Sequence, residues 1–382
     1  MVKNNMNNIS NLNLKKNVSE IEFPTEISML DSIMDGYKYY QMISAALKLG
    51  ILEKMAEIGP ASPSEIAEAA SVNGMFVRSI LSALEDIGLV KSDDASYMIT
   101  EQAETFLCQE SPFYQGDLIL DVGRDGSPWN DLTTVLERRG PPKTIQKDVD
   151  ELQIRSLAQQ CIRGEVQNVL NGILSRPEFS EHEKLLDIGG SHGLYSVGLC
   201  QENAALSSTI IEQDQVVPLT SSFVSEYGMD DRIKVQEGSI ETMTNDLSPE
   251  VYDIVLISHT LYRYRREMSE TLEKVTKTLS PGGTLVLNHR FCSPQCDIKP
   301  GDGIREIDRA LTSFGHPLCH PEGLKDVLEN KGFTNVSLIP HETALGYAVL
   351  CIGTKGSNMD KTSDTENIPV SHNFPDGEDK CC

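Results

Sequence analysis

A buried run that ends in a glycine-rich turn constrains this chain more than any other feature. Residues 184–188 read as an apolar strand, and residues 189–193 read as a turn that opens into a helix. Glycine has no Cβ, so such a turn lets the backbone come close to a ligand. Ligands of parallel sheets bind at this end of the strands. The G-x-G-x-x-G fingerprint of dinucleotide sites fails, because Ser191 and Leu194 stand where glycines are needed. An acidic-x-G-x-G-x-G pattern fits better, with Ser191 replacing its middle glycine. Its remaining positions are Asp187, Gly189 and Gly193.

Length, charge and cysteine content exclude several classes of partner. A chain of 382 residues is long enough for two domains. Its 57 acidic and 33 basic residues give a formal charge of −24, which is the wrong sign for binding nucleic acid. No apolar run reaches the roughly 18 residues of a membrane helix, so no membrane partner is expected. The first 16 residues lack the apolar stretch of a secretory signal. Nine cysteines without framework spacing favour reduced thiols, and we therefore expect a cytoplasmic protein.

The N-terminal part predicts a winged helix over residues 27–110, preceded by a disordered arm over residues 1–26. Ser62 and Glu65 form a capping box with Pro63 at the first helical position. A second helix is expected over 75–87 and a hairpin over 89–100, turning at 92–94. The helix that would enter a DNA groove carries one basic residue, Arg78, among many acids. Dimerisation is therefore the expected role of this domain.

The C-terminal part predicts a doubly wound α/β domain over residues 176–356. Strands alternate with helices, as in a parallel sheet built from βαβ units. The expected strands are 184–188, 208–212, 233–237, 254–258 and 284–288, with a closing hairpin at 336–339 and 347–352. Residues 111–175 predict a helical linker that lines the substrate site, with helices over 129–137 and 151–174. Residues 357–382, which end in Cys381 and Cys382, predict a disordered tail.

Taken in order, these elements resemble the small-molecule O-methyltransferases of plant phenolic and bacterial antibiotic pathways. Those class I S-adenosylmethionine (SAM) methyltransferases carry a winged-helix dimerisation domain before a Rossmann-like doubly wound domain. The resemblance covers residues 30–355 and implies methyltransferase activity, SAM as the cofactor and a homodimer formed through the N-terminal domain. It also implies that the glycine turn holds the methionine moiety, that Glu212 binds the ribose, and that positions 238–239 and 258–259 contact the adenosine. The implied cofactor residues are Asp187, Gly189, Gly193, Glu212, Ser239, Ser258 and His259.

The chain departs from this family at the residues that deprotonate the acceptor. The family motif Leu-His-Asp-Trp-x-x-Glu aligns with residues 261–267, so Tyr262 stands where the base histidine is expected. Asn288 replaces the acid that orients that histidine, and the second supporting acid falls near Leu318. Two departures affect the adenosine contacts, because Ser239 replaces an aspartate and Ser258-His259 replaces a Lys-Trp pair.

The missing base set alters the acceptor that we expect. A phenol of pKa about 10 needs a base, and a general base contributes typically about 10²–10⁴ in rate. A thiol, a thioether or a nucleophilic carbon needs it less. The sequence therefore favours such an acceptor, on a small molecule or a protein cysteine, with Tyr262 meeting it. One alternative is an O-methyltransferase of a small hydroxylated metabolite with a substitute base, for which His316 and His320 are candidates. Another is a SAM-binding scaffold without catalysis.

The cysteines and histidines around this segment do not predict a metal site. Their spacing fits no closed zinc pattern, and no metal is expected. The residues concerned are Cys292, Cys296, His316, Cys319 and His320. A dense basic run at 263–266 would favour an anionic acceptor if it lined the mouth of the site. The sequence does not name the acceptor.

Overall fold

The computed structural model describes residues 27–137, 149–242, 251–292, 298–313, 315 and 317–356. The chain divides into two compact units, residues 1–108 and 109–382. The predicted N-terminal arm and C-terminal tail, Cys296 and the candidate base His316 lie outside the described residues.

Helices and one small hairpin make up the first unit. The elements are α1 (Ser28–Lys48), α2 (Ile51–Ile58), α3 (Pro63–Ala69), α4 (Gly74–Asp86), β1 (Val90–Asp93), β2 (Ser96–Ile99) and α5 (Glu101–Leu107). The capping box is confirmed: the Ser62 N–H donates to the Glu65 carboxylate at 2.8 Å, and the Glu65 N–H donates back to Ser62 Oγ at 3.4 Å. The predicted hairpin turn is displaced by two residues. The cause is that Ser92 and Asp93 pair within the hairpin, which leaves Asp94 (φ +52°) to make the turn.

Helix α1 carries an apolar surface that its own unit does not cover. Its exposed apolar side chains are at least half accessible to solvent, and Ile33 and Tyr37 are each 64% exposed. The other members of this set are Met29, Leu30 and Met34. Large apolar side chains gathered on one helix typically mark an interaction surface.

A seven-stranded sheet forms the centre of the second unit. Its strands are β3 (Lys184–Ile188), β4 (Ser207–Glu212), β5 (Ile233–Glu237), β6 (Tyr252–Ser258), β7 (Leu279–Arg290), β8 (Phe333–Thr343) and β9 (Gly346–Lys355). The order across the sheet is β5-β4-β3-β6-β7-β9-β8. Neighbours from β5 to β7 are parallel, and β9 runs antiparallel to both β7 and β8. The strand order reverses beside β3, where doubly wound sheets open a crevice at the carboxyl ends of their strands. All seven predicted strands are confirmed, and several extend further than predicted.

Helices flank this sheet. They are α6 (Gly116–Val122), α7 (Leu132–Leu136), α8 (Glu151–Ile162), α9 (Glu165–Leu174), α10 (Leu194–Glu202), α11 (Val217–Glu226), α12 (Met268–Thr276), α13 (Gly303–Thr312) and α14 (Pro321–Asn330). The prediction of one helix over 151–174 is wrong. The backbone adopts φ +114° at Gly164, which ends α8 and lets α9 begin at Glu165. The helix predicted over 129–137 is shorter than expected.

Apolar side chains pack on both faces of the sheet because successive strand residues point to opposite sides. On β6, Ile254 and Leu256 belong to one buried cluster, whereas Val255 and Ile257 belong to the other. Helix α9 lies close against the first face. A Cβ added to its Gly172 would lie 2.3 Å from Leu350 Cδ2 on β9. The absent side chain allows α9 to approach the sheet.

Candidate functional site

The glycine turn lies at the crevice, directly after β3. Gly189 and Gly193 have φ values of +72° and +71°, which L side chains rarely adopt. The space around the turn is also filled. A Cβ on Gly189 would lie 2.5 Å from Thr260 Oγ1, and one on Gly190 would lie 2.7 Å from Ile210 Cγ2. The turn therefore needs glycine for its backbone conformation and for its close packing.

Glu212 ends β4 and reaches back to this turn. Its Oε1 accepts a hydrogen bond from the Ser191 N–H at 3.1 Å, and its Oε2 accepts one from the Gln213 N–H at 2.7 Å. Burial raises the pKa of Glu212, and the two N–H donors oppose that rise. Strands β3 and β4 pair in parallel, with Ile188 beside Ile211. The predicted acid and the glycine turn are thus neighbours, and each carboxylate oxygen retains capacity for a further donor.

Asp187 lies beneath the turn and is fully buried. Its Oδ2 accepts a hydrogen bond from Ser196 Oγ at 2.8 Å, while its Oδ1 has no hydrogen-bond partner. Burial raises the pKa of Asp187 to about 7, and the nearby charge of Glu212 adds to the rise. The role of Asp187 in cofactor binding stays a prediction. The carboxyl supports the turn from inside and links it to α10.

A cavity of about 900 Å³ opens at the carboxyl ends of β3, β4, β5 and β6. Five of the residues predicted from sequence line it, namely Gly189, Glu212, Ser239, His259 and Tyr262. Gly193 and Ser258 are not in its lining. Gly193 precedes the first residue of α10, and Ser258 Oγ accepts a hydrogen bond from Asn288 Nδ2 at 3.0 Å. The structure therefore brings most of the predicted cofactor set together with the predicted acceptor contact.

His259 connects the cavity to a buried hydrogen-bond chain. Its Nε2 lies 2.5 Å from Glu165 Oε1, and its Nδ1 lies 2.8 Å from Tyr262 Oη. Tyr262 Oη already accepts the Arg290 N–H at 2.7 Å, so its own proton is free to be donated to Nδ1. This network assigns the neutral histidine tautomer that carries its proton on Nε2 and donates it to Glu165.

Glu165 is the member of this hydrogen-bond chain that the sequence analysis missed. It is buried in the first turn of α9, where it also accepts hydrogen bonds from Asn288 Nδ2 at 2.7 Å and from Tyr195 Oη at 3.2 Å. Burial alone would raise the pKa of Glu165. The interactions with His259, the charge of Arg290 and the Asn288 hydrogen bond outweigh burial and hold this pKa well below its usual range. The carboxylate is therefore ionised at neutral pH.

The partners of Glu165 are neutral at the same pH. Burial lowers the pKa of His259 below its usual 6.5, although the adjacent Glu165 carboxylate acts in the opposite direction. Burial raises the pKa of Tyr262 above 10. The site thus combines a carboxylate, an uncharged imidazole that is able to accept a proton, and an uncharged phenol.

The remaining sequence candidates lie elsewhere. His320 directly precedes α14 and is not among the residues that line the cavity. Leu318, near which the family's second acid was expected, pairs with Phe291 in an isolated bridge. Across the described ranges, no group of three His, Cys, Asp or Glu side chains is placed to hold a metal ion. Of the two predicted substitute bases, His320 does not line the cavity and His316 lies outside the described residues.

Comparison with known proteins gives three relevant likenesses besides one family match. Residues 32–109 match the O-methyltransferase dimerisation domain. The 3-hydroxy-5-methyl-1-naphthoate 3-O-methyltransferase of Streptomyces sahachiroi is 24% identical over 75% of this chain and 82% of that protein. The L-tyrosine C(3)-methyltransferase of Streptomyces lavendulae is 31% identical, but over only 31% of this chain and 32% of that protein. The crystal structure of human N-acetylserotonin methyltransferase in complex with SAM matches with a TM-score of 0.68 and 18% identity. That match covers 88% of this chain and 99% of that one.

These findings confirm the fold class and the resemblance drawn from sequence. The chain carries an O-methyltransferase dimerisation domain before a Rossmann-like domain, and over most of its length it is similar to SAM-dependent methyltransferases. Of the helices in the described ranges, none combines the length and the apolar character needed to cross a bilayer.

Replacing Asp187 by Asn (D187N) is expected to increase the free energy of unfolding at pH 7 by up to a few kcal/mol. The native state holds this proton to about pH 7, whereas the unfolded chain releases it near pH 4. Wild-type stability therefore falls as the pH rises between these values, and D187N avoids this loss. Urea unfolding at pH 4 and pH 7 measures the difference, which should grow with pH. The S196A control keeps the carboxyl but removes the donor that lowers its pKa, so its stability should fall with rising pH at least as much as that of the wild type. A pH-independent gain in D187N would contradict the assignment.

Proposed function

We propose that this protein transfers the methyl group of SAM to a hydroxyl oxygen of a small molecule, and that it acts as a homodimer. The observation that carries the proposal is the cavity in which a glycine turn and the carboxylate of the neighbouring strand meet. Both features lie at the strand ends where doubly wound sheets bind their ligands.

The residues present fit SAM as the cofactor. Gly189 lines the cavity and carries no side chain, so a ligand can approach its backbone there. Glu212 faces the same cavity with oxygens able to accept hydrogen bonds from two ribose hydroxyls. Ser239 and His259 line the part of the cavity beyond β5 and β6, where the adenosine contacts are expected. SAM supplies a methyl group already activated by its sulfonium, and the protein aligns the acceptor with it.

The comparisons favour oxygen as the acceptor atom over the thiol or carbon that the sequence suggested. Three O-methyltransferases match 65–75% of this chain at 24–25% identity. Of two C-methyltransferases, one matches 31% of this chain, and the other matches 80% of it at 20% identity. The basic run at 263–266 lines the cavity as expected, but Glu241 and Glu267 line it too. The lining therefore does not by itself select an anionic acceptor.

Methyl-labelled SAM incubated with a panel of phenols, other hydroxylated aromatics, thiols and carbon acids tests the acceptor. We expect label on oxygen, with S-adenosylhomocysteine formed in equal amount. Label found only on sulfur or carbon would replace the oxygen proposal with the acceptor class first expected from sequence. Binding of SAM without turnover of any acceptor would identify a catalytically inactive scaffold.

Replacing Glu212 by Ala (E212A) is expected to weaken SAM binding about tenfold or more, because two charge-assisted hydrogen bonds to the ribose are lost. Isothermal titration calorimetry measures the dissociation constant. The matched control is E237A, which removes the exposed carboxylate at the end of the adjacent strand β5 and should leave the affinity unchanged. Equal affinities for E212A and the wild type would rule out the ribose assignment.

The homodimer proposal rests on the matched dimerisation domain and on the apolar surface of α1. Replacing Ile33 by Glu (I33E) places a charge in that surface, which costs free energy when buried without a partner. We expect I33E to shift the protein from dimer to monomer in analytical ultracentrifugation. The control K91E changes charge on the exposed hairpin and should sediment as the wild type does. A dimeric I33E protein at low micromolar concentration would exclude this surface.

A further inference from the structure

The hydrogen-bond chain of Glu165, His259 and Tyr262 lies where the expected base set is missing. We propose that these three residues form the proton-transfer chain for the acceptor hydroxyl, with His259 as the general base. The inference rests on the proposed oxygen acceptor and gives a residue assignment to the substitute base that such an acceptor requires.

The geometry supports this order of proton transfer. Tyr262 and His259 both line the cavity, and they are 3 positions apart in sequence. The buried Tyr262 hydroxyl accepts the Arg290 N–H and donates to His259 Nδ1, which leaves a second lone pair that the Ser313 side chain also approaches. The acceptor hydroxyl is able to donate to that lone pair. The far side of the imidazole is fixed by Glu165, which orients the ring and stabilises its protonated form.

Tyrosine alone is a poor base here, because burial raises its pKa. Coupled to His259, it needs only to conduct the proton. The acceptor oxygen attacks the methyl carbon and its proton moves to Tyr262 Oη, while the original phenolic proton moves to His259 Nδ1. The O–CH3 bond forms and the S–CH3 bond breaks, which leaves the methylated product and S-adenosylhomocysteine. The imidazolium then releases its proton to water.

The charges around His259 set the pH range of this step. Glu165 favours the imidazolium, whereas Arg290 and burial disfavour it. Four other titratable side chains face the same region from neighbouring elements, namely His192, Tyr195, His289 and His341. Their balance keeps His259 neutral at pH 7, ready to accept a proton. Proton transfer through the three residues is expected to stop once His259 is protonated, below pH 6.5.

Replacing His259 by Asn (H259N) is expected to lower kcat by about 10²–10⁴, the usual contribution of a general base. The kcat is measured at saturating SAM, because His259 also lies where an adenosine contact is expected. In the wild type, kcat/KM for the oxygen acceptor should fall on the acid side below pH 6.5, and this limb should be absent in H259N. Retained kcat together with a retained acid limb in H259N would overturn the proposal.

Two further variants separate the roles of the partners. Glu165→Gln keeps the shape of a positioning residue but removes the charge that stabilises the imidazolium, so the acid limb should move to lower pH and kcat should fall. Tyr262→Phe removes the conducting hydroxyl and should lower kcat with little change in SAM affinity.

His320→Asn tests the candidate base suggested by sequence. Loss of the acid limb in H320N and not in H259N would assign the base to His320 and overturn this chain.

A readout without turnover covers variants that fold poorly or fail to react. Nitrogen-15 NMR of histidine-labelled protein, with the signal assigned by its loss in H259N, should show His259 with its proton on Nε2 at pH 7. Its titration midpoint should lie below 6.5 and should fall further in E165Q. A midpoint that E165Q leaves unchanged would refute the coupling. Calorimetric SAM binding by each variant separates the proposed oxygen acceptor from the proposed proton chain. If the wild type binds SAM but methylates no oxygen, both proposals fail. If oxygen is methylated and H259N is unaffected, only the proton chain is refuted.

Discussion

The parallel pairing of β3 with β4 on one side and β6 on the other is the constraint on which the site depends. It brings three strand ends to one edge of the sheet, and with them the glycine turn, Glu212 and His259. The turn then fits only because glycine removes the side chains that would strike Thr260 and Ile210. Backbone pairing, rather than any side-chain contact, thus sets the distances within the cavity.

Much of this arrangement follows from the sequence. Apolar runs bounded by turns predict the strands well, since buried parallel strands read as continuous apolar segments. The residue patterns also place Glu212 beside the glycine turn, because consecutive parallel strands align their carboxyl ends. The break at Gly164 is less visible, because apolar residues continue at helical spacing on both sides of it. Asp187 is similarly ambiguous, since a pattern match does not tell a ligand contact from a buried support.

Glu165 shows where sequence reasoning stops. It lies 94 residues from His259 in a segment that predicts only a helical linker, and nothing in its surroundings marks it as a partner for a histidine. Alignment with the family identifies Tyr262 and Asn288 as departures, but it does not reveal whether the lost function has moved. The sequence favoured a thiol, thioether or carbon acceptor because the base was taken to be absent. In the folded chain a histidine and a carboxylate, His259 and Glu165, come together from other positions of the sequence. Asn288 donates a hydrogen bond to that carboxylate.

The separate origins of His259 and Glu165 have a mechanical consequence. His259 follows a central strand of the sheet, and Glu165 begins α9, a helix of the same unit that packs against the sheet. Helix α9 approaches closely because Gly172 presents no side chain to β9. Any displacement of α9 would move the Glu165 carboxylate away from His259. The protonated imidazole would then lose the charge that stabilises it. The basicity of His259 therefore depends on how α9, a helix outside the sheet, packs against it.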